Sequence, residues 1–214
     1  MIEMKNLIVV SAPSGTGKST LLRRLVADIP DLRLSISTTT RQPRPGEESG
    51  KHYHFVDEAT FEDMIARDAL VEWAKVFGNY YGTSRAALQD VLDSGQRCLL
   101  EIDVQGWLQI KNHLAQAKSV FIYPPSAQEL WNRLSARGTD DYATRLRRVR
   151  TAKGELAQVE SYGSFVLNED LEKAYQDLYA LVQDGAQSSE QRAQAIYVCQ
   201  QMVQEWDESL FKDA

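Results

Sequence analysis

The stretch SAPSGTGKST at positions 11–20 constrains this chain more than any other. An apolar run, LIVV at 7–10, precedes it, and a segment with helical patterning, 20–27, follows. Strand, glycine-rich loop, Lys-Ser and helix is the layout of a nucleotide-phosphate cradle. Small residues let backbone N–H groups turn inward onto phosphate oxygens, and Gly15 and Gly17 supply that freedom. Lys18 brings a positive charge to the β- and γ-phosphates. Ser19 offers a hydroxyl to Mg2+, and the helix N-terminus adds partial positive charge. Ala12 stands where the pattern G-x-x-x-x-G-K-[ST] has Gly, which is the mildest replacement. The expected ATP-binding loop is therefore Ala12, Pro13, Ser14, Gly15, Thr16, Gly17, Lys18, Ser19 and Thr20.

A chain of 214 residues can bury a substantial core. Its net charge of −6 argues against a broad nucleic-acid-binding surface. The two cysteines, Cys98 and Cys199, lack metal-ligand spacing and read as reduced packing residues of a cytoplasmic protein. The three histidines form no metal constellation. Nothing ahead of the first strand reads as a signal peptide, and no apolar run reaches membrane-spanning length.

Short apolar runs at 7–10, 98–102, 120–123 and 165–167 are followed by helical patterns at 20–27, 104–114, 127–136 and 171–182. Continuous apolar runs alternating with helices predict an α/β fold with a parallel sheet covered by helices. Two stretches break the rhythm. Residues 34–94 are rich in turn residues, aromatics and β-branched residues, and predict an inserted β-rich subdomain. Residues 126–155 carry Arg133, Arg137, Arg145, Arg147, Arg148 and Arg150 around a Gly-Thr-Asp-Asp turn, and predict a positively charged helical flap. A final helix is expected over 190–206, with Ser188 and Gln191 as its capping pair. Its Ile196, Val198, Met202, Val203 and Trp206 suit packing on the core or pairing with another subunit, the former being the simpler reading.

Within the insert, TTRQPRPGE sets Arg41 and Arg44 beside Pro43 and Pro45. Proline stiffens such a loop, so two guanidinium groups are held at little ordering cost. Paired arginines suit a second phosphate through forked hydrogen bonds. Tyr53 and Tyr81 can add phenolic hydroxyls. The loop by itself also suits a solvated basic turn.

SAPSGTGKST, TTRQPRPGE, GKHYHF, VEWA, FGNYYGT, LLEIDVQG, RLSARGT and VLNEDL, in this order and spacing, resemble the guanylate kinase family from residue 7 to about residue 181. The resemblance implies a P-loop core, a GMP-binding insert and a mobile lid. The corresponding division is 1–33 core, 34–94 GMP-binding subdomain, 95–125 core, 126–155 lid, and 156–214 core with the C-terminal helix. It implies that Ser37, Glu72 and Thr83 face guanine, and that Arg41, Arg44, Tyr53 and Tyr81 hold the GMP phosphate, with Gly82 alongside. Glu101 and Asp103 would lie near the metal and the acceptor, Ser19 and Asp103 serving Mg2+. Arg133, Arg137, Arg145 and Arg148 would close over the ATP phosphates, and Asn168 would lie near adenine. Lys18, Arg44, Arg137 and Arg145 would carry the chemistry.

The chemistry of the bases agrees. Guanine presents two adjacent donors, N1–H and the 2-amino group, beside the O6 acceptor. A carboxylate such as Glu72 accepts from both donors, and a hydroxyl such as Ser37 donates to O6. Adenine would set a lone pair against that carboxylate. The lid segment between Arg137 and Arg145 is a few residues shorter than the family's, and the tail beyond 182 differs from its basic end. A scaffold-type relative that binds phosphopeptides would have lost Lys18, Ser19 and the lid arginines. A sugar-phosphate kinase would have no use for Glu72, Ser37 and Thr83. A GTPase would carry an N-K-x-D string. The expected partners are ATP and GMP, with Mg2+ as cofactor, no nucleic acid and no membrane, in a monomer or homodimer.

Overall fold

The elements of the computed structural model follow the apolar rhythm of the chain. Residues 6–114, 116–136, 138, 140–183 and 185–211 are described. In chain order they form β1 (Leu7–Ser11), α1 (Lys18–Asp28), β2 (Leu32–Leu34), β3 (Thr38–Thr39), β4 (His54–Phe55), α2 (Glu58–Ala66), β5 (Leu70–Val76), β6 (Asn79–Ser84) and α3 (Arg85–Asp93). There follow β7 (Arg97–Glu101), α4 (Val104–Ile110), β8 (Lys118–Tyr123), α5 (Ala127–Ala136), α6 (Tyr142–Leu156), β9 (Ser164–Leu167), α7 (Leu171–Val182) and α8 (Ser189–Gln204). A five-stranded sheet has the order β2-β7-β1-β8-β9, and a four-stranded sheet the order β4-β3-β6-β5.

The chain forms two compact units, Met1–Val9 with Val26–Ala117, and Val10–Leu25 with Lys118–Ala214. In the first, β2 runs parallel to β7 with Leu32 opposite Arg97 and Leu34 opposite Leu99. The strand β2 is absent from the apolar runs read in the sequence. It is an edge strand of three residues in which Leu32 is buried and Arg33 exposed, so it has too little apolar length to stand out. This unit also holds the whole four-stranded sheet. There β5 and β6 form a hairpin closed by Phe77 and Gly78, both at positive φ (49° and 87°), the geometry of a two-residue turn that matches strand twist. The helix α4 ends at Ile110 rather than at 114, where the Ile110 carbonyl accepts from the N–H groups of His113 and Leu114 in a turn.

In the second unit, β8 and β9 run parallel, Val120 opposite Ser164 through Tyr123 opposite Leu167. Their residues are mostly buried, as a strand covered on both faces requires. The start of α8 carries the expected reciprocal cap: Gln191 N–H donates to Ser188 Oγ at 3.1 Å, and Ser188 N–H donates to Gln191 Oε1 at 2.9 Å. Cys98 and Cys199 are unpaired and buried, and burial pushes both thiols up to about 12, as expected of inert packing residues.

Candidate active site

The strand β1 delivers the chain into the glycine-rich loop, and α1 begins as the loop ends. The Gly17 carbonyl accepts from the N–H groups of Thr20 and Leu21, at 3.2 and 3.4 Å, so the first helical turn grows directly from the loop. Gly15 and Gly17 have φ of +94° and +93°, where a side chain is strained. An added side chain would also press on its neighbours. A Cβ on Gly17 would stand 2.7 Å from Asn168 Nδ2, and one on Gly15 would stand 2.9 Å from Leu134 Cδ2. Lys18 is half-buried, while Ser19 and Thr20 are exposed.

Asn168 is buried and its Nδ2 donates to the Thr16 carbonyl at 2.6 Å, holding the loop from beneath. Arg133 anchors the same corner. Its Nη1 donates to the Asn168 carbonyl at 2.9 Å, its Nη2 to the Glu169 carbonyl at 3.3 Å, and its Nε to Glu129 Oε1 at 2.7 Å. In this geometry Asn168 braces the loop and Arg133 braces Asn168.

The acceptor half is built on the hairpin and the proline-rich turn of the first unit. Glu72 and Thr83 are direct partners across β5 and β6, both buried, and Thr83 Oγ1 donates to Glu72 Oε1 at 2.6 Å. Gly82 is needed one step along, because a Cβ there would stand 2.8 Å from the Glu72 carbonyl oxygen. A buried carboxylate held by a hydroxyl is poised to accept from a pair of adjacent donors. Ser37, Tyr53 and Glu101 line one cleft with Leu34, Ser35 and His52. Burial, with the Glu101 carboxylate nearby, pushes the Tyr53 phenol up to about 12, so it remains a hydrogen-bond donor. The Tyr53 and Tyr81 rings meet edge to face, centroids 6.1 Å apart.

Arg41 is held by Glu47, Nη2 to Oε1 at 2.9 Å, and lies 5.3 Å from the Tyr53 ring centroid. Arg44 is exposed, and its backbone N–H donates to Glu47 Oε2 at 2.7 Å. One carboxylate thus orders both ends of the basic turn. Glu47 went unassigned in the sequence, although its place three residues after Arg44 in RPGE is the signal for such a turn.

The family model for guanylate kinase matches residues 4–185. The chain belongs to the guanylate kinase family. It is 48% identical over 176 residues to guanylate kinase of Chromohalobacter salexigens, covering 82% of this chain and 82% of that protein. To the Dechloromonas aromatica guanylate kinase it is 45% identical over 199 residues, covering 92% and 98%. Among solved structures, guanylate kinase from Anaplasma phagocytophilum superposes with a TM-score of 0.67 at 33% identity, covering 86% and 87% of the two chains.

Arg145 lies with its guanidinium 5.2 Å from the Trp131 ring centroid, and Arg148 pairs with Asp140 at 3.2 Å, both side chains mostly buried. Arg137 lies outside the described residues. Arg150, unassigned by sequence, pairs with Glu208 of the tail at 2.7 Å. Asp103 caps α4, its Oδ1 accepting from Gly106 N–H at 2.7 Å.

The C-terminal segment past the family match packs within the second unit. Among its described residues Ala195, Cys199, Trp206 and Phe211 are buried, and the half-buried Ile196, Val198, Met202 and Val203 flank them. Phe211 stacks on Trp131 at 5.5 Å, meets Trp206 at 5.7 Å, and its carbonyl accepts from Tyr142 Oη at 3.0 Å. The core-packing expectation thus has a specific form, an aromatic plug against α5 and α6.

Proposed function

We propose that this chain transfers the γ-phosphoryl group of ATP to GMP, and more weakly to dGMP, giving ADP and GDP reversibly, and so supplies guanine nucleotides. The observation that carries the reading is the buried Glu72 carboxylate, held by Thr83 on the hairpin. Glu72 accepts from N1–H and the 2-amino group of guanine, Ser37 donates to O6, and Thr83 keeps the carboxylate in place. Arg41, Arg44, Tyr53 and Tyr81 hold the acceptor phosphate, Glu101 and Asp103 lying at its edge. The loop from Ala12 to Thr20 holds the donor, backed by Arg133 and Asn168. The division into core (1–33, 95–125, 156–214), GMP-binding subdomain (34–94) and lid (126–155) belongs to the same proposal.

The acceptor phosphate oxygen is nucleophilic at neutral pH, so no general base is needed. Catalysis is then alignment plus neutralisation of charge on the moving phosphoryl group. Lys18 supplies one charge, and Arg137 and Arg145 supply others as the flap closes. Closure excludes water, which would otherwise take the phosphoryl group.

Mg2+ enters with ATP in this reading. Among the described residues no group of three or more His, Cys, Asp or Glu is arranged to hold a metal. A magnesium ion carried by phosphates and water needs only one or two protein oxygens, and Ser19 in the first turn of α1 and Asp103 are the residues assigned to it. Bound there, the ion neutralises phosphate charge. No described helix is long and apolar enough to cross a membrane. Action in the cytoplasm as a monomer or homodimer, without nucleic acid, completes the proposal. A coupled assay of ADP formation across the four nucleoside monophosphates tests it. Preference for GMP is expected, and equal rates with AMP or UMP would overturn the role of Glu72.

A further inference from the structure

Gly106 sits inside α4 on ordinary helical backbone and is buried. Glycine there costs stability relative to alanine, and no turn requires it. A Cβ at Gly106 would stand 2.2 Å from Glu72 Oε2, 3.0 Å from Glu72 Cδ and 3.4 Å from Asp103 Oδ1. The three nearest atoms all belong to two carboxylates. At Gly82 an added Cβ meets backbone, so the strands themselves would have to move. At Gly106 it meets the tip of a flexible side chain. The helix would accept a methyl group, and the Glu72 carboxylate would be driven from its seat.

One turn further on, Gln109 holds the strand that carries Glu72. β5 is the edge strand of its sheet, and edge backbone groups need partners from outside the ladder. Trp73 N–H donates to Gln109 Oε1 at 3.2 Å, and Gln109 Nε2 donates to the Trp73 carbonyl. Gln109 brackets the backbone of the residue next to Glu72. Gly106 leaves the space into which the Glu72 carboxylate fits.

We infer that Gly106 and Gln109 of α4 are positioning residues for purine specificity, setting where the Glu72 carboxylate meets the base. The inference rests on the proposed reading of Glu72 as the guanine acceptor. Its test compares GMP with IMP, whose base lacks the 2-amino group and therefore uses only half of a correctly seated carboxylate.

Gly106→Ala is expected to raise KM for GMP at least about tenfold and to shrink the GMP-over-IMP preference in kcat/KM by a similar factor. KM for ATP should be unchanged. Gln109→Ala, on the exposed side of the helix, should move the same two quantities by several-fold. A merely structural role would weaken both substrates alike. Wild-type GMP KM and wild-type base preference in Gly106→Ala would overturn the proposal. So would wild-type values in Gln109→Ala if Gly106→Ala proved unstable. Glu72→Gln measured alongside separates the two levels. If it keeps the wild-type preference for GMP over IMP, the guanine reading itself has failed. If it loses that preference while both α4 variants keep it, only the positioning role has failed.

Discussion

Thr83 Oγ1 and Glu72 Oε1 lie 2.6 Å apart on facing positions of one hairpin, both shut away from solvent. The carboxylate cannot drift without breaking this bond, and a buried acceptor left unpaired is costly. Glu72→Gln turns an acceptor pair into an amide that sets its own donors against those of guanine. KM for GMP should rise by roughly two orders of magnitude, with KM for ATP little changed. Thr83→Val, which removes only the hydroxyl, should raise KM for GMP about fivefold. Steady-state kinetics with each substrate varied in turn checks both, and equal effects on the two substrates would contradict the assignment.

The two basic clusters should separate in kinetics. On the proposed reading Arg44→Ala removes a forked contact to the acceptor phosphate and should cost about 1.5–3 kcal/mol, expressed in KM for GMP. Arg137→Ala should chiefly lower turnover, since a flap arginine contributes most while the phosphoryl group is in transit. If diffuse charge were all that mattered, both variants would weaken both substrates alike and added salt would mimic them.

Lys18→Ala should lower turnover by roughly two orders of magnitude or more, because a charge that follows the migrating group is lost. GMP binding measured by calorimetry should be almost unaltered. A variant with near-normal turnover would remove the loop from the donor role.

Glu47 gives the basic turn a defined acid response. Burial raises its carboxyl, but the Arg44 backbone N–H and the Arg41 guanidinium outweigh burial and hold it below the ordinary 4.5. A folded-state value below the unfolded one means that the stabilisation is complete above about 4.5 and fades as pH falls through the lower folded value. The stability gap between wild type and Glu47→Gln should therefore be flat from about pH 5.5 to 8 and close below pH 4.5. Urea unfolding across that range checks it, and a gap that widened with acid would reverse the sign.

Phe211→Ala should lower stability by about 3 kcal/mol, within the range for truncating a buried phenylalanine. The lost contacts are those with Trp131 and Trp206. The shift in urea midpoint measures it. Glu208→Gln, breaking an exposed pair with Arg150, should leave that midpoint nearly where it is.

The phosphate loop was legible from sequence because its requirements are local. A buried strand, glycines at positive φ and a helix start all lie within one short stretch, and the structure has each of them. The parallel-sheet core, the β-rich insert and the Ser188–Gln191 cap were readable for the same reason, since periodicity and capping act over a few residues. What tertiary structure alone decided is pairing between residues far apart in the chain. Thr83 meets Glu72 only because a hairpin of fixed register sets them face to face. Gly106 is spacious only with respect to a strand more than thirty residues earlier. Arg133 and Asn168 both stood in the sequence as nucleotide ligands, and the fold directs Arg133 to the Asn168 carbonyl and Asn168 to the Thr16 carbonyl. Residue type and spacing set what a side chain is able to bind, and hydrogen-bonding geometry over a few ångströms determines which of its partners is within reach.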